Sequence, residues 1–339
     1  MAYVHPAYGE TSNDARPKDA QLNDARLFDS ITPTPLDAKL TVPLKQLLSK
    51  RQDRTAVMGT LQIDDLTVPV SVSTRGKSRL KKCTFPPLWL EFNKKDIKGT
   101  RLHKSHKIKL VTHCKNSLES RGLLASEMLA YRLLNLVTDY SFRVRALNVT
   151  YIDTVKGTEV VHPAFVIEHK RSVAKRLDLS ILKVTELKSA QLQPRYTALA
   201  ALHNYLIGNT DFSFTRGPDD DDCCHNTVPM SDANSVVFGL SYDFDSTGMV
   251  NPPYSAPSES LGLRRFTQRK YRGYCRHGSE LQDARNIFIE KKAEVFALIE
   301  TFSELPKLNR KRTHSFVSKF YKTLESDRAF EQKIVSACR

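Results

Sequence analysis

The sequence predicts an α+β protein of two lobes, a β-rich first lobe and a mainly helical second lobe. Short runs in which apolar and polar residues alternate fill much of residues 56–112, as expected of strands with one buried face. A long amphipathic helix is predicted at residues 118–137, and beyond residue 189 apolar residues recur mainly at helical spacing. Strands first, one helix among them and helices afterwards are typical of an α+β layout.

The first lobe is predicted over residues 38–170, after a polar segment at residues 1–37 that we interpret as a mobile tail. Its first element is a short helix predicted at Lys39–Lys50. A core helix is predicted at Leu118–Val137, because its apolar residues fall on one face. Strands are predicted, in chain order, at Ala56–Ile63, Leu66–Ser73, the second half of residues 85–92, Lys107–Thr112, Phe142–Asp153 and Ala164–Glu168.

The second lobe is predicted over residues 171–339 and is mainly helical. The helix Ser189–Gly208 has an apolar stripe that indicates full burial, and its last residue is a plausible glycine C-cap. Two further helices, Leu281–Phe302 and Thr313–Leu324, carry the same spacing. One strand is predicted in this lobe, at Ser235–Tyr242.

The charge of the chain favours anionic partners. There are 52 Lys and Arg residues against 37 Asp and Glu, a formal charge of +15 that attracts nucleotide phosphates or acidic proteins. Neither a zinc-finger spacing nor an RNP-like pattern is present, so we do not expect a nucleic acid partner. Apolar runs of about eighteen residues and an apolar leader are both absent, so neither a membrane span nor a signal peptide is predicted. We therefore expect a cytoplasmic protein, or a periplasmic or exported one if a leader is missing.

The cysteines leave two redox states open. The even number permits three disulfides, and none of the spacings is a CxxC metal pair. The lack of an export signal favours reduced, buried thiols over disulfides. The six cysteines are Cys83, Cys114, Cys223, Cys224, Cys275 and Cys338.

Residues 205–251 bring together the side chains that phosphoryl transfer requires. An apolar helix ends just before Asn209 and Asp211, and after an acidic loop a predicted strand delivers Asp243 and Asp245. Phosphoryl transfer needs a carboxylate that accepts the proton of a hydroxyl group, and an amide and a carboxylate that hold Mg²⁺ on the phosphates. Two such pairs at the ends of two apolar elements favour an active site.

Simpler structural roles are the alternative for each pair. Asp243 and Asp245 could merely close a strand before a turn, and Asn209 and Asp211 could merely cap a helix. The acidic run Asp219–Asp222 is interpreted as a solvated loop, because charge runs are usually hydrated.

A phosphotransferase also needs a cation on a first-lobe strand that meets the phosphates, and a carboxylate on the next helix that holds this cation. Lys109 lies in the middle of a predicted strand, and Glu127 lies on the following helix among apolar neighbours. Because lysines surround Lys109, an exposed strand-edge lysine is the alternative. A glycine-rich phosphate loop is absent, and Gly76 before Lys77-Ser78-Arg79 is only a weak signal of one.

Several segments carry a resemblance to a known family. They are LIGNTDFS, CCHN, YDFDSTGMVNPPY, RGYC, VSTRGKSRLKKCTFPPLWLEF, KIKLVTHC and YSFRVRALNVTYIDT. They resemble bacterial proteins related to the CotH (spore-coat protein H) kinases, most strongly in LIGNTDFS and YDFD. The resemblance extends from about Leu40 to the C-terminus. It implies a bilobal kinase-like fold, ATP with Mg²⁺ or Mn²⁺ as cofactors, and phosphoryl transfer to protein Ser or Thr.

The resemblance implies the residues that bind the nucleotide and carry the chemistry. Lys109 would be the phosphate-binding lysine, with Glu127 as its helix partner. Asp211 would be the catalytic carboxylate, with Asn209 beside it. Glu168 and the three residues before it would border the adenine.

The resemblance also implies the metal ligands. Asn226 would be the amide ligand, Asp243 the principal carboxylate and Asp245 a second ligand. Two features depart from the family: a long Asp/Cys-rich insertion precedes Asn226, and Tyr242 stands where CotH proteins typically have Trp. Neither removes a charged group that the reaction requires.

Three functions fit these residues. The leading hypothesis is an ATP- and metal-dependent phosphotransferase that acts on a protein hydroxyl or a small polyol. The second is a catalytically inactive pseudokinase, or a basic scaffold that holds an anionic partner. The third is a metal-dependent hydrolase built on Asp243, Asp245 and His225, which would require more histidines near the acids than the sequence has.

Overall fold

The computed structural model describes residues 26–28, 34–218 and 222–339. Most of the predicted tail at residues 1–37 lies outside the described residues, and its last two residues belong to the first strand. Three positions of the predicted acidic loop, residues 219–221, also lie outside.

Strands in the first half of the chain form a closed barrel. They are β1 Leu36–Val42, β2 Val57–Ile63, β3 Leu66–Thr74, β4 Leu88–Glu91, β5 Lys107–Val111, β6 Val144–Asp153 and β7 Thr158–Ile167. Their order around the barrel is β1-β2-β3-β4-β5-β7-β6, and the parallel pair of β1 and β6 closes it. The other neighbouring strands are antiparallel. Strand alternation buries one face of each strand, as in Leu40, Val70 and Tyr151.

The closed barrel shows that the predicted bilobal kinase-like fold is wrong. Alternation of apolar and polar residues indicates where a strand runs, but not which strand it pairs with. We predicted a helix at Lys39–Lys50, but the first residues of this range belong to the closing strand β1. Only α1, at Leu44–Ser49, is helical. The partner strand is far away in sequence, since Asp37 is 111 positions from the Asn148 side chain that it contacts.

The second half contains a small antiparallel sheet and most of the helices. The sheet has the order β10-β9-β8, with β8 at Ser180–Ile181, β9 at Thr227–Ser231 and β10 at Val237–Ser241. The remaining helices are α2 Ser78–Lys82, α3 Leu118–Val137, α4 Lys170–Arg176, α5 Pro194–Ile207, α6 Gly278–Glu290, α7 Lys292–Thr301, α8 Lys307–Leu324 and α9 Asp327–Phe330. In the part of the chain that the structure describes, every helix is too short or too polar to span a bilayer.

Helices α3 and α5 carry the chain to the candidate site. The N-cap of α3 is Ser117, whose side chain accepts a hydrogen bond from the N–H of Ser120. Helix α5 ends at Gly208, which has φ +65°, and a Cβ there would lie 3.0 Å from Phe316 and 3.3 Å from Gly248. Glycine is therefore needed at this turn, which sends the chain directly into the segment of Asp211.

Two hydrophobic cores stabilise the two halves. One fills the barrel and includes Leu40, Val72 and Leu90. The other lies among α3, α5 and the later helices and includes Leu129, Leu202 and other large side chains. Truncating a fully buried leucine in either core to alanine is expected to cost about 2–5 kcal/mol.

All six cysteines lie in disulfides, so the preference for reduced thiols is wrong. Cys83–Cys114 joins the end of α2 to the segment after β5, with Cα atoms 4.6 Å apart. Cys275–Cys338 links segments 63 positions apart, and Cys223–Cys224 joins neighbouring residues.

Candidate functional site

A cavity of about 860 Å³ lies where the barrel meets the loops of the second half. We call it the cleft. Five of the residues singled out from the sequence line it, although they come from different parts of the chain: Lys109, Asp211, Asn226, Asp243 and Asp245. The polar side chains in and beside the cleft form two sets, one joined by Arg79 and Lys109 and the other centred on Asp211. We call Arg79, Lys109, Glu127, Asp243 and Asp245 the inner cluster, and Asp211, His225 and Asn226 the rim cluster.

In the inner cluster, Lys109 pairs with Asp243. Lys109 lies in β5 between Trp89 of β4 and Ile167 of β7, so the sheet fixes its backbone on both sides. Its Nζ donates to Asp243 Oδ1 at 3.3 Å. Burial lowers the pKa of Lys109, and the Asp243 carboxylate opposes that shift. Burial by itself would raise the pKa of Asp243, but Lys109 and the nearby arginines outweigh it and lower that pKa to about 2.

The backbone of Asp243 is fixed by a contact with α3. Asp243 follows β10 and has φ +62°, in the left-handed region that Asp tolerates better than most residues. The Asp243 N–H donates to the hydroxyl oxygen of Tyr131 on α3 at 2.8 Å. The carboxylate therefore points into the cleft from a fixed position.

The partner of Glu127 differs from the prediction. Glu127 of α3 binds Arg79 of α2, and not Lys109. Arg79 also donates from Nε to Asp245 Oδ2 at 2.7 Å. Burial raises the pKa of both Glu127 and Asp245, and Arg79 opposes the shift in each case. One guanidinium therefore forms ion pairs with two carboxylates.

The rim cluster is organised around Asp211. His225 Nε2 lies 2.7 Å from Asp211 Oδ1, and Asn226 Nδ2 donates to the Asp211 carbonyl oxygen at 2.6 Å and to Oδ2 at 3.2 Å. Asn209 is buried, and its Oδ1 accepts the Asp211 N–H at 2.9 Å. The hydrogen bond with Asp211 raises the pKa of His225. The carboxylate itself is more than half exposed, so it lies at the mouth of the cleft.

An arginine from a later segment supports the rim cluster. Arg272 Nη1 donates to the carbonyl oxygens on both sides of Asp211, those of Thr210 and Phe212. Its guanidinium carbon also lies 5.1 Å from the centroid of the Phe212 ring. The backbone that presents Asp211 is therefore fixed by a side chain about sixty positions away.

Glu168 lies outside the cleft, in an adjoining cavity of about 560 Å³. Its carboxylate accepts two hydrogen bonds from Arg176, at 3.1 Å and 2.8 Å. Trp89, Phe142, Tyr242 and Ile167 line the same cavity, and Arg75, Trp89, Lys107, Lys109 and Tyr242 also line the cleft. The two cavities are therefore neighbours with a shared wall.

Sequence reasoning missed the roles of Arg79, His225 and Arg272. Arg79 belongs to the weak signal after Gly76, and Glu127, which is acidic among apolar neighbours, indicates that a cation lies nearby without indicating which one. His225 was considered only as a metal ligand, whereas its partner here is Asp211. Arg272 begins the segment RGYC, which carries part of the resemblance, but the sequence assigns it no role.

The oxygen donors of the cleft fit a hard divalent cation, although no group of three His, Cys, Asp or Glu side chains in the described ranges is arranged as a ready metal site. Asp243, Asp245 and Asn226 supply carboxylate and amide oxygens, which Mg²⁺ and Mn²⁺ prefer. The inner cluster holds three carboxylates and two cations. Glu127 Oε1 is buried without a hydrogen-bond partner among the described residues.

Comparison of the chain with protein-family models and with curated proteins found no match in either set.

Proposed function

We propose that the protein is an ATP- and divalent-metal-dependent phosphotransferase of the CotH kinase-like type, with a protein Ser or Thr hydroxyl or a small polyol as acceptor. The proposal rests on the site and not on the fold, since one chemistry recurs on unrelated folds. The observation that carries it is that the residues expected for phosphate, metal and hydroxyl acceptor line a single cleft.

The barrel side of the cleft suits phosphate groups. Arg54 donates to the Gly76 carbonyl oxygen, Arg75 lies over the ring of Trp89, and Lys82 lies over the ring of Tyr254. Arg54 and Lys82 contact neutral groups here, so their charges are available to an anion, whereas the charge of Arg75 also acts on Asp243. Together with the inner cluster they make this wall rich in cations: Arg54, Arg75, Lys77, Arg79, Lys82, Lys107 and Lys109 all line the cleft.

The opposite side suits a hydroxyl acceptor. Asp211 lies at the cleft mouth, more than half exposed, while Asn209, Asn226 and Arg272 fix the segment that carries it. A positioned carboxylate that accepts the proton of the attacking hydroxyl contributes about 10²–10⁴-fold to the rate. His225 keeps one oxygen of this carboxylate oriented by a hydrogen bond.

Asn226, Asp243 and Asp245 are the residues that would hold Mg²⁺ or Mn²⁺. The ion would neutralise charge on the nucleotide phosphates. Lys109 orients Asp243 for this role through their ion pair, and Tyr131 fixes its backbone.

The adjoining cavity is the best candidate for the nucleotide base. One part of its wall is apolar and aromatic and consists of Trp89, Phe142, Ile167 and Tyr242, while basic side chains line much of the rest and continue into the cationic wall of the cleft. Because Arg176 occupies the carboxylate of Glu168, we expect Glu168 to shape this cavity through its ion pair and not to bind the base with its carboxylate.

One observation favours a second candidate, a pseudokinase that binds nucleotide without turnover. Both oxygens of the Asp211 carboxylate already have hydrogen-bond partners, one in His225 and one in Asn226. An incoming hydroxyl would have to displace one of these partners before it could donate to the carboxylate.

Thermal shift and ADP release with ATP or GTP, each with Mg²⁺ or Mn²⁺, test the proposal. We expect stabilisation by at least one metal–nucleotide pair, together with ADP formation. Lys109→Met should lose both, because the cationic wall loses its most buried charge, whereas Lys98→Met on an exposed loop should lose neither. Nucleotide binding without ADP release or transfer to any acceptor would favour the pseudokinase, and the absence of binding would contradict both candidates.

A further inference from the structure

Arg79 joins the two sides of the inner cluster. It lies in α2 and lines both the cleft and a smaller cavity of about 300 Å³ beside α3. Its Nη2 donates to Glu127 Oε2, and its Nε donates to Asp245 Oδ2 at 2.7 Å. The acids that it bridges lie in different elements, 48 and 166 positions away in sequence.

The two bonds of Arg79 differ in their access to the cleft because the two acids differ in burial. The side chain of Glu127 is 2% exposed, whereas that of Asp245 is 21% exposed. Water screens an ion pair that it can reach, and a buried carboxylate that loses its cation is left at high cost. An entering ligand can therefore reach the bond between Arg79 and Asp245 from the cleft, whereas the bond with Glu127 is shielded from it.

Arg79 is also suited to bind phosphate. A guanidinium has five N–H donors in a planar fork, and that fork matches two oxygens of a phosphate group. The edge that now faces Asp245 borders the cleft, where Lys109 and Arg75 contribute further positive charge. A phosphate oxygen carries the same charge and accepts the same bonds as the carboxylate that it would replace.

We propose that Arg79 is an exchangeable cation, which releases Asp245 when a phosphate group enters the cleft and keeps its bond with Glu127. The released carboxylate then becomes available to a divalent cation. This inference deepens the proposed function and rests on it, because the entering phosphate is that of the nucleotide. The exchange makes nucleotide and metal binding cooperative, and by thermodynamic linkage each ligand strengthens the other by the same factor.

Metal-free ATP binding, measured by calorimetry in EDTA, gives the first test. Asp245→Asn should bind metal-free ATP about two- to fivefold more tightly than the wild type, because Arg79 no longer has a competing carboxylate. Arg79→Gln should bind it about tenfold or more weakly, because a charged donor is lost. Lys81→Gln removes one charge from an exposed position of the same helix, so its affinity should equal that of the wild type.

Mn²⁺ binding to the nucleotide-free protein, followed by electron paramagnetic resonance, gives a second test without turnover. Arg79→Gln should bind Mn²⁺ several-fold more tightly than the wild type, since Asp245 is then free. The double variant Arg79→Gln/Asp245→Asn should lose this gain. Circular dichroism checks that each variant is folded, and if Arg79→Gln is not, the Asp245→Asn affinity decides.

Unchanged ATP affinity in Asp245→Asn, or unchanged Mn²⁺ affinity in a folded Arg79→Gln, would show that Arg79 is a fixed structural cation. These outcomes are separate from failure of the proposed function. If the wild type binds ATP but never transfers phosphate, and the variants show both affinity changes, the phosphotransferase proposal is wrong and the exchange is supported. Turnover without either shift would overturn the exchange alone.

Discussion

The rim cluster and all of the inner cluster except Glu127 line one cleft, but the two clusters hold their charges in different ways. In the inner cluster the charges are mostly buried and paired with charges of opposite sign, as in Arg79 and Glu127. In the rim cluster the central carboxylate, Asp211, is more than half exposed and is held mainly by neutral donors and by the backbone around it. The inner cluster is therefore a preformed set of paired charges, whereas the rim cluster fixes the position of a carboxylate that water still reaches. The difference predicts that changes in the inner cluster affect stability and ligand binding, and that changes in the rim cluster affect turnover.

The largest expected effect is on turnover at the rim. Asp211→Asn should lower kcat about 10²–10⁴-fold, because the proton of the acceptor hydroxyl loses its carboxylate. Nucleotide affinity should stay within a few-fold of the wild type, since the cationic wall is unchanged. Steady-state ADP release and nucleotide calorimetry on the same preparation measure the two quantities. Turnover near the wild-type rate would mean that Asp211 only supports the turn after α5.

The next effect concerns stability, for which the inner cluster is expected to matter more than the rim cluster. Glu127→Ala should lower the free energy of unfolding by about 3–5 kcal/mol, because Arg79 loses its buried partner. Asp211→Ala should lower it by about 1 kcal/mol, the usual loss for an exposed hydrogen-bonding carboxylate. Guanidinium chloride unfolding of both variants gives the comparison. Equal losses would show that burial does not separate the two clusters.

Two disulfides near the rim cluster are expected to differ in how much they stabilise the protein. Cys275–Cys338 closes a loop of 63 positions next to Arg272, so Cys275→Ser/Cys338→Ser should cost about 4 kcal/mol. Cys223–Cys224 joins neighbours just before His225 and restricts the unfolded chain little, so Cys223→Ser/Cys224→Ser should cost about 1 kcal/mol. Thermal unfolding of the two double variants measures both losses. A larger loss at Cys223 and Cys224 would mean that this bond stabilises the folded rim directly.

A smaller effect depends on pH and has opposite signs in the two regions. His203 lies behind the inner cluster against Phe244, and burial lowers its pKa to about 4. The unfolded chain then binds more protons between about pH 6.5 and 4, so this stability is present above pH 6.5 and lost as the pH falls through that window. The loss should reach about 3 kcal/mol by pH 4, and His203→Gln should remove it from the unfolding profile.

At the rim the sign is reversed. The pKa of His225 is raised, so its contribution is fully present below the unfolded pKa and is lost as the pH rises through the folded pKa. Titration of the two imidazoles by NMR measures both directions. A His203 that titrates above His225 would contradict the assignment of burial to the inner side.

The sequence predicted local elements better than their pairing. The helix predicted at Leu118–Val137 is confirmed with the same bounds, because a long apolar stripe is a strong signal. The strands predicted at Ala56–Ile63 and Leu66–Ser73 are confirmed within one residue at each end. The closing strand β1 was missed, since its parallel partner lies in another part of the chain and no local pattern records that contact.

The candidate site shows the same limit. Asp211 and Asp243 could be selected because polar residues directly after buried elements point to a shared edge, and both line the cleft. Arg79, the partner of Glu127, could not be selected from the sequence, because α2 has only five residues and the only signal for it is a single glycine before a basic run. The pairing of a cation with an acid depends on how close two distant segments come in the folded protein, and a local sequence pattern does not report that distance.

The closing pair of β1 and β6 has a consequence for the newly made chain. The strand Leu36–Val42 leaves the ribosome more than one hundred residues before its parallel partner Val144–Asp153. At about 5–20 residues per second, that edge waits for roughly 5–20 s. During this interval its unpaired N–H and C=O groups and its apolar face are open to other nascent chains. Synthesis speed and chaperone supply should therefore set the yield of folded protein more than the stability of the finished barrel does.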